Sequence, residues 1–206
     1  MRRAAAGTAL LCLGMVPSAP AGAEDYPYHG YFATSLPDES LDDTRLSCAN
    51  GFFRQGPDGS FVNYHLDAAR YDSDGTIRYL RYGSGLCTLL ADKRTEACKM
   101  AFSSDPEEIG AVYVDVVEAV EADRISLIYF DTIPEAWAYV AGRGGQRELS
   151  YFVRCAGFTD AAMAGHLTDE ASRLSIADRD AVLSPEFTET TRARMQDILG
   201  QITRSP

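Results

Sequence analysis

The longest periodic stretch of the chain runs from Asp105 to Phe130, and its period changes part-way along. Ile109, Val112, Tyr113, Val116, Val117 and Val120 recur at helical spacing and predict one apolar stripe over Asp105–Asp123. Asp105 stands where an N-cap belongs, and Pro106 suits the first helical position. Glu107 and Glu108 fall in the first turn, where the helix dipole favours negative charge. From Ile125 the period is two: Ile125, Leu127 and Tyr129 share one face, and Ser126, Ile128 and Phe130 the other. That pattern predicts a core strand buried on both sides. Val112, Val114 and Val116 would suit a strand nearly as well, because valine favours sheets. The Asp-Pro-Glu-Glu start tips the reading to a long helix.

Before that stretch, residues 45–102 read as a meander of short antiparallel strands, about Leu46–Arg54, Phe61–Leu66, Thr76–Tyr82, Leu86–Leu90 and Ala97–Phe102. Turn chemistry separates them at Gly56-Pro57-Asp58-Gly59, Asp72-Ser73-Asp74-Gly75, Gly83-Ser84-Gly85 and the polar run Asp92–Glu96. After it, Thr132-Ile133-Pro134-Glu135 has capping-box spacing and opens a short helix that stops at Gly142. Glu148 to Arg154 reads as the last strand. Residues 159–206 predict helices only: short turns at Asp160–Leu167 and Ile176–Leu183, then a helix started by Ser184-Pro185-Glu186. Phe187, Met195, Ile198, Leu199 and Ile202 would form the apolar face of that last helix. The expected fold class is therefore α+β: one domain over 45–206, with an antiparallel sheet meander, one long packed helix and a helical C-terminal segment. Residues 24–44 hold Tyr26, Tyr28, Tyr31 and Phe32 among acidic, turn-rich positions, and predict an irregular lead-in whose aromatics dock on the domain.

The first 23 residues have the pattern of an export signal. Arg2 and Arg3 precede an apolar run from Ala4 to Val16, and Ala21-Gly22-Ala23 gives an A-x-A cleavage site. The run is too short to span a bilayer, so no membrane insertion is expected after cleavage. Removing 23 residues from the 206 leaves 183, a normal size for one domain. The remaining 17 basic residues face 30 acidic ones, a net charge of −13. Such a surface repels nucleic acid and anionic lipid, and would suit a basic protein partner.

Four cysteines stay after cleavage: Cys48, Cys87, Cys98 and Cys155. An even count in an exported chain predicts two disulfides. Three pairings are possible, and Cys87–Cys98 with Cys48–Cys155 is favoured. The first pair flanks a hairpin, and the second ties the start of the core to its end. No C-x-x-C and no neighbouring histidine suggests a metal site, and no cofactor motif is present. Asp72-Ser73-Asp74-Gly75 resembles only the front of a calcium loop.

No catalytic constellation stands out, and the reading leans away from an enzyme. Gly83-Ser84-Gly85 is not a nucleophile elbow, and paired cysteines leave no thiolate. The weak candidates are Asp115, Glu118 and Glu121, three apart on the polar side of the expected helix, and His65 and His166, each near acids in sequence. The leading expectation is a secreted or periplasmic, disulfide-stabilised, acidic protein of the bacterial envelope. It would bind a protein partner or small ligand without catalysis. An inhibitor or immunity-type protein for a basic enzyme is the sharper version. A periplasmic hydrolase with a carboxylate or His site assembled only in three dimensions, and a structural accessory protein, are the alternatives.

Overall fold

The computed structural model describes residues 26–35, 38–102, 105–174 and 187–204, with the backbone alone for 105–111. The expected signal, the helical turn at 176–183 and the helix start at 184–186 lie outside the described residues. Nine strands and five helices form among those described. The strands are β1 (Gly30–Thr34), β2 (Gly51–Gln55), β3 (Ser60–Leu66), β4 (Tyr79–Leu89), β5 (Thr95–Phe102), β6 (Asp105–Val120), β7 (Arg124–Phe130), β8 (Ser150–Arg154) and β9 (Leu167–Ala171). The helices are α1 (Leu41–Ser47), α2 (Ala68–Asp74), α3 (Ile133–Val140), α4 (Asp160–Met163) and α5 (Glu189–Ile202).

Each strand from β1 to β7 pairs antiparallel with the next, and β8 returns to pair with β1. The antiparallel sheet therefore closes into an eight-stranded up-and-down barrel. Only β9 lies outside the ring, added parallel to β4 through Tyr79↔Leu167 and Arg81↔Ala171. The seam is Phe32↔Arg154, Ala33↔Val153 and Thr34↔Phe152. Cys48 and Cys155 form a disulfide beside it, across 107 residues of chain, and Cys87 and Cys98 form the other across the β4–β5 ladder. These are the two pairs that the sequence favoured. Disulfides persist in oxidising, non-cytoplasmic spaces, and no described helix is long and apolar enough to cross a membrane.

The long helix expected over Asp105–Asp123 is the strand β6. Its apolar positions satisfy either period, and the neighbours decide. β5 pairs with its first part and β7 with its last, and the two overlap at 114–116, as in Cys98↔Tyr113 and Val116↔Ile128. Val114 and Val116 face outward and pack with Ile128, Phe130 and Ala136 under α3, while Asp115 and Val117 face the interior. Barrel closure is thus what the expected open meander lacked.

Other elements shift for local reasons. Leu46 and Ser47 belong to α1, capped by Ser40, so the supposed strand from Leu46 begins only at Gly51. Among its described residues the lead-in is regular, with β1 and the first part of α1. Gly83-Ser84-Gly85 is not a turn but the middle of β4. Gly85 lies opposite Phe61, and a Cβ there would collide with the Phe61 ring and the Lys99 carbonyl. Asp72 to Asp74 end α2, and Gly75 closes that helix in the left-handed conformation at φ 73°. The C-terminal part is not helical throughout, because Leu167–Ala171 forms β9. The helix after Thr132 forms as expected, with Thr132 as cap.

The final helix, α5, begins at Glu189 and covers the outer wall. Met195, Ile198 and Ile202 pack with Phe52, Tyr79, Phe158 and Met163. Arg192 to Asp43 at 2.7 Å, Arg194 to Asp72 at 2.9 Å and the Tyr71 hydroxyl to Asp197 at 2.7 Å fix its rotation against α1 and α2. These ion pairs are largely solvated and contribute little each; the apolar face carries the docking. Truncating Ile198 to Ala should therefore cost about 2–5 kcal/mol in urea unfolding, whereas Arg194→Ala should cost under about 1 kcal/mol.

Candidate ligand site

Alternation along each strand sends one set of side chains into the barrel. Phe32, Phe53, Phe61, Tyr82, Met100, Tyr113 and Phe152 all enter it, and they form the second of the protein's apolar clusters. They do not fill it. A cavity of about 560 Å³ remains, lined by these side chains and, at its rim, by the outward-facing Val112, Val114 and Phe130. Eight strands enclose just enough width to be packed solid or to hold one small ligand, and here room is left.

The two ends differ. One is closed by the lead-in to β1, where the Tyr26 amide donates to the Pro57 carbonyl of the β2–β3 turn at 2.7 Å. The Tyr26 hydroxyl donates to Glu96 Oε2, and the Tyr28 hydroxyl to Glu96 Oε1 at 2.9 Å. Tyr28 packs edge-on against Phe32 and Phe152. The other end carries the β1–β2 and β7–β8 connections, and from these Ser35, Ser47, Asp131 and Arg147 line the cavity. Asp131 and Arg147 are exposed, so this end is the mouth. Arg147 lies over Phe130 at 5.2 Å. Among the described residues it is the single basic one lining the cavity.

Two carboxyls lie side by side across the β5–β6 ladder. Glu96 and Asp115 are directly opposed on β5 and β6, and Asp115 is also opposed to Tyr129 on β7. Glu96 is 0 % exposed and Asp115 2 %. Burial first, and then the charge of Asp115, push Glu96 well above the usual carboxylate range. Burial pushes Asp115 up to about 8. Burial and the Asp115 charge likewise raise Tyr28 and Tyr129. Asp115 is therefore largely protonated in the empty barrel at neutral pH. Glu96 is satisfied by two tyrosine hydroxyls. Asp115 is not: its Oδ1 is buried without a hydrogen-bond partner among the described residues. The Nε2 of Gln55, which lines the same cavity, is in the same condition.

The other sequence candidates are elsewhere. The helical grouping of Asp115, Glu118 and Glu121 dissolves with the helix. Glu118 pairs with Arg94 at 2.6 Å on the surface, and Glu121 with Arg124 at 2.7 Å. His65 is buried, with Nε2 2.6 Å from Ser172 Oγ and Nδ1 3.0 Å from the Leu66 carbonyl. Burial lowers its pKa and keeps it neutral. No acid orients the ring, as a nucleophilic triad requires, and the pair braces β9 against β3. His166 Nδ1 lies 3.0 Å from the Ile77 carbonyl. Asp160, near His166 in sequence, instead accepts from Tyr31 and Arg54. In the supposed calcium loop, Asp72 takes Arg194, and Asp74 pairs with Arg70 and accepts from the Thr76 amide. Cys87, Glu96 and Cys98 cluster closely enough to hold a metal, but both sulfurs are in the disulfide.

Glu96, Gln55, Tyr28 and Tyr129 escaped the sequence reading. Glu96 was assigned to a polar turn. Its signal was its phase: Glu96, Cys98, Met100 and Phe102 alternate with Thr95, Ala97 and Lys99, so the acid shares the apolar face. No protein-family model matches the chain, and no curated protein matches it. The chemistry of the cavity itself carries the argument.

A raised acid makes the folded state bind more protons than the unfolded chain between the two pKa values. Its stabilising share is present below about pH 4 and is lost as pH rises through 8 for Asp115. The stability of the empty protein should thus fall by about 2–5 kcal/mol from pH 5 to pH 9. Asp115→Asn should remove much of that slope, measured by urea unfolding across the range.

Proposed function

We propose that this protein is an exported, non-catalytic binding protein of the bacterial envelope that holds a small, mostly apolar organic ligand inside its barrel. The observation that carries this reading is the 560 Å³ cavity lined by Phe53, Phe61, Tyr82, Tyr113 and Phe152. Binding sites for small molecules have this size and this mix of aromatic wall with a few placed polar groups. Protein interiors otherwise pack to crystal-like density, so an unfilled core of this volume costs stability. A ligand that fills it restores the lost contacts. Between the small-ligand and protein-partner versions of the expectation, the cavity favours the small ligand. The acidic surface remains the ground for a basic protein partner, as an inhibitor or immunity-type protein would have.

A second reading is favoured by Asp115 alone. A carboxyl raised to about 8 inside an apolar cavity is suited to general acid–base catalysis. It retains the enzyme alternative with Asp115 as its proton carrier, without His65, His166 or Glu118.

Trp137 is 50 % exposed on α3 and does not line the cavity, so an external reporter is needed. The neutral fluorescent probe N-phenyl-1-naphthylamine should bind with a blue-shifted emission that saturates at about one probe per chain. Thr34→Phe and Ser150→Phe each place a ring in the mouth and should weaken binding about tenfold or more, with little change in melting temperature. Emission that never saturates, or that neither substitution alters, would overturn the reading.

A further inference from the structure

We propose that the ligand is a small organic cation, an amine joined to an aromatic or alkyl body, whose ammonium group docks on Asp115 inside the barrel. The inference rests on the small-ligand reading and names the ligand's chemistry. Three independent features of the site point to it.

The first is an unanswered acceptor. Asp115 is 2 % exposed, faces the cavity on β6, and its Oδ1 has no hydrogen-bond partner among the described residues. A buried carboxyl oxygen left unpaired is costly, and a donor supplied from inside the cavity removes that cost. The second is the sign of the surroundings. Asp115 has no lysine, arginine or histidine opposed to it on β5 or β7, and the one cation among the described residues lining the cavity, Arg147, lies over Phe130. An anion would meet a carboxyl there; an ammonium completes a pair. The third is the wall. Tyr28, Tyr113 and Tyr129 stand around Asp115, and Phe53, Phe61, Tyr82 and Phe152 line the rest of the barrel. Aromatic faces attract a cation once water is excluded. Gln55 Nε2, also unpartnered, offers a donor for a hydroxyl or carbonyl on the ligand body.

The groups that face Asp115 are Glu96 on β5, Tyr129 on β7, Tyr28 on the lead-in and Tyr113 on its own strand. Burial raises Tyr28 and Tyr129 further above their already high values, so both stay protonated throughout the working range. Glu96 accepts from the Tyr26 and Tyr28 hydroxyls, and burial shifts it in the same direction as Asp115. Binding is then a proton exchange. The ammonium enters with its own proton, Asp115 releases its proton to solvent, and an ion pair forms in place of a neutral acid. Affinity should rise with pH up to about 8, where Asp115 in the empty protein is already ionised.

The test is calorimetric titration of the full chain with three matched probes: 4-phenylbutylamine, 4-phenylbutan-1-ol and 4-phenylbutyrate. The amine should bind about tenfold or more tighter than the alcohol, and the acid weakest. Repeating the amine titration at pH 7 in phosphate and in Tris should show release of close to one proton per site. Asp115→Asn should weaken the amine about tenfold while changing the alcohol less than about threefold. The proton count is read on the unsubstituted protein, so it stands even where that variant folds poorly. Equal binding of amine and alcohol, or no proton release, overturns the cation while leaving the small-ligand reading intact. If the naphthyl probe binds but the amine does not, the cation is likewise overturned. Failure of every probe, the naphthyl compound included, removes both.

Discussion

Closure of the sheet between β1 and β8 is the constraint on which the rest of the structure depends. Three backbone pairs, Phe32↔Arg154, Ala33↔Val153 and Thr34↔Phe152, join strands more than 100 residues apart in the chain. Such a contact carries a large loop-closure cost, and the seam is reinforced accordingly. The Cys155 amide donates to the Tyr31 carbonyl at 2.9 Å, and the Ser35 amide to the Tyr151 carbonyl at 2.8 Å. Arg154 lies 4.8 Å over the Phe32 ring. The Cys48–Cys155 disulfide closes the long loop covalently, which by chain-entropy reasoning stabilises the fold by somewhat under 5 kcal/mol. Without this seam β1 and β8 would be open edges, and the inner aromatics would face water.

Once the ring is closed, the interior becomes a separate environment. The same alternation that packs Val114 and Val116 beneath α3 drives Asp115 inward, next to Glu96. Tyrosines answer Glu96 and leave Asp115 open toward the cavity. Outside, α5 and α1 cover one side of the barrel and α3 another. Ordinary packing residues therefore occupy the outer face of these strands, and the inner face holds the chemistry. The two faces have different tasks, and a one-residue slip in β6 would exchange them.

Much of the architecture was legible in the sequence. The antiparallel character, the α3 cap at Thr132, the apolar face of α5 and the pairing of the cysteines all rest on local spacing or on strand ends. The β6 error has a physical source. Its valines fit periods of both 2 and 3.6, and only its two neighbours, separated from it by turns, select the strand. Gly85 misled in the same way: it reads as a turn until Phe61 is seen lying across it. The candidate site was half visible. Asp115 was singled out, but beside Glu118 and Glu121, companions that a helix would give it and a strand does not. Glu96 was hidden because its partner is opposite it across a ladder, a relation that no spacing along the chain records.

The most direct test of this account is the titration of the side-chain carboxyl carbons by ¹³C NMR in the empty protein. Asp115 should titrate near pH 8, well apart from surface acids such as Asp58 and Asp74, whose hydrogen bonds to Ser60 and Thr76 hold them below the ordinary aspartate range. If Asp115 instead titrates with those surface acids, its carboxyl is in water. A closed barrel with a buried acid facing its cavity would then be contradicted.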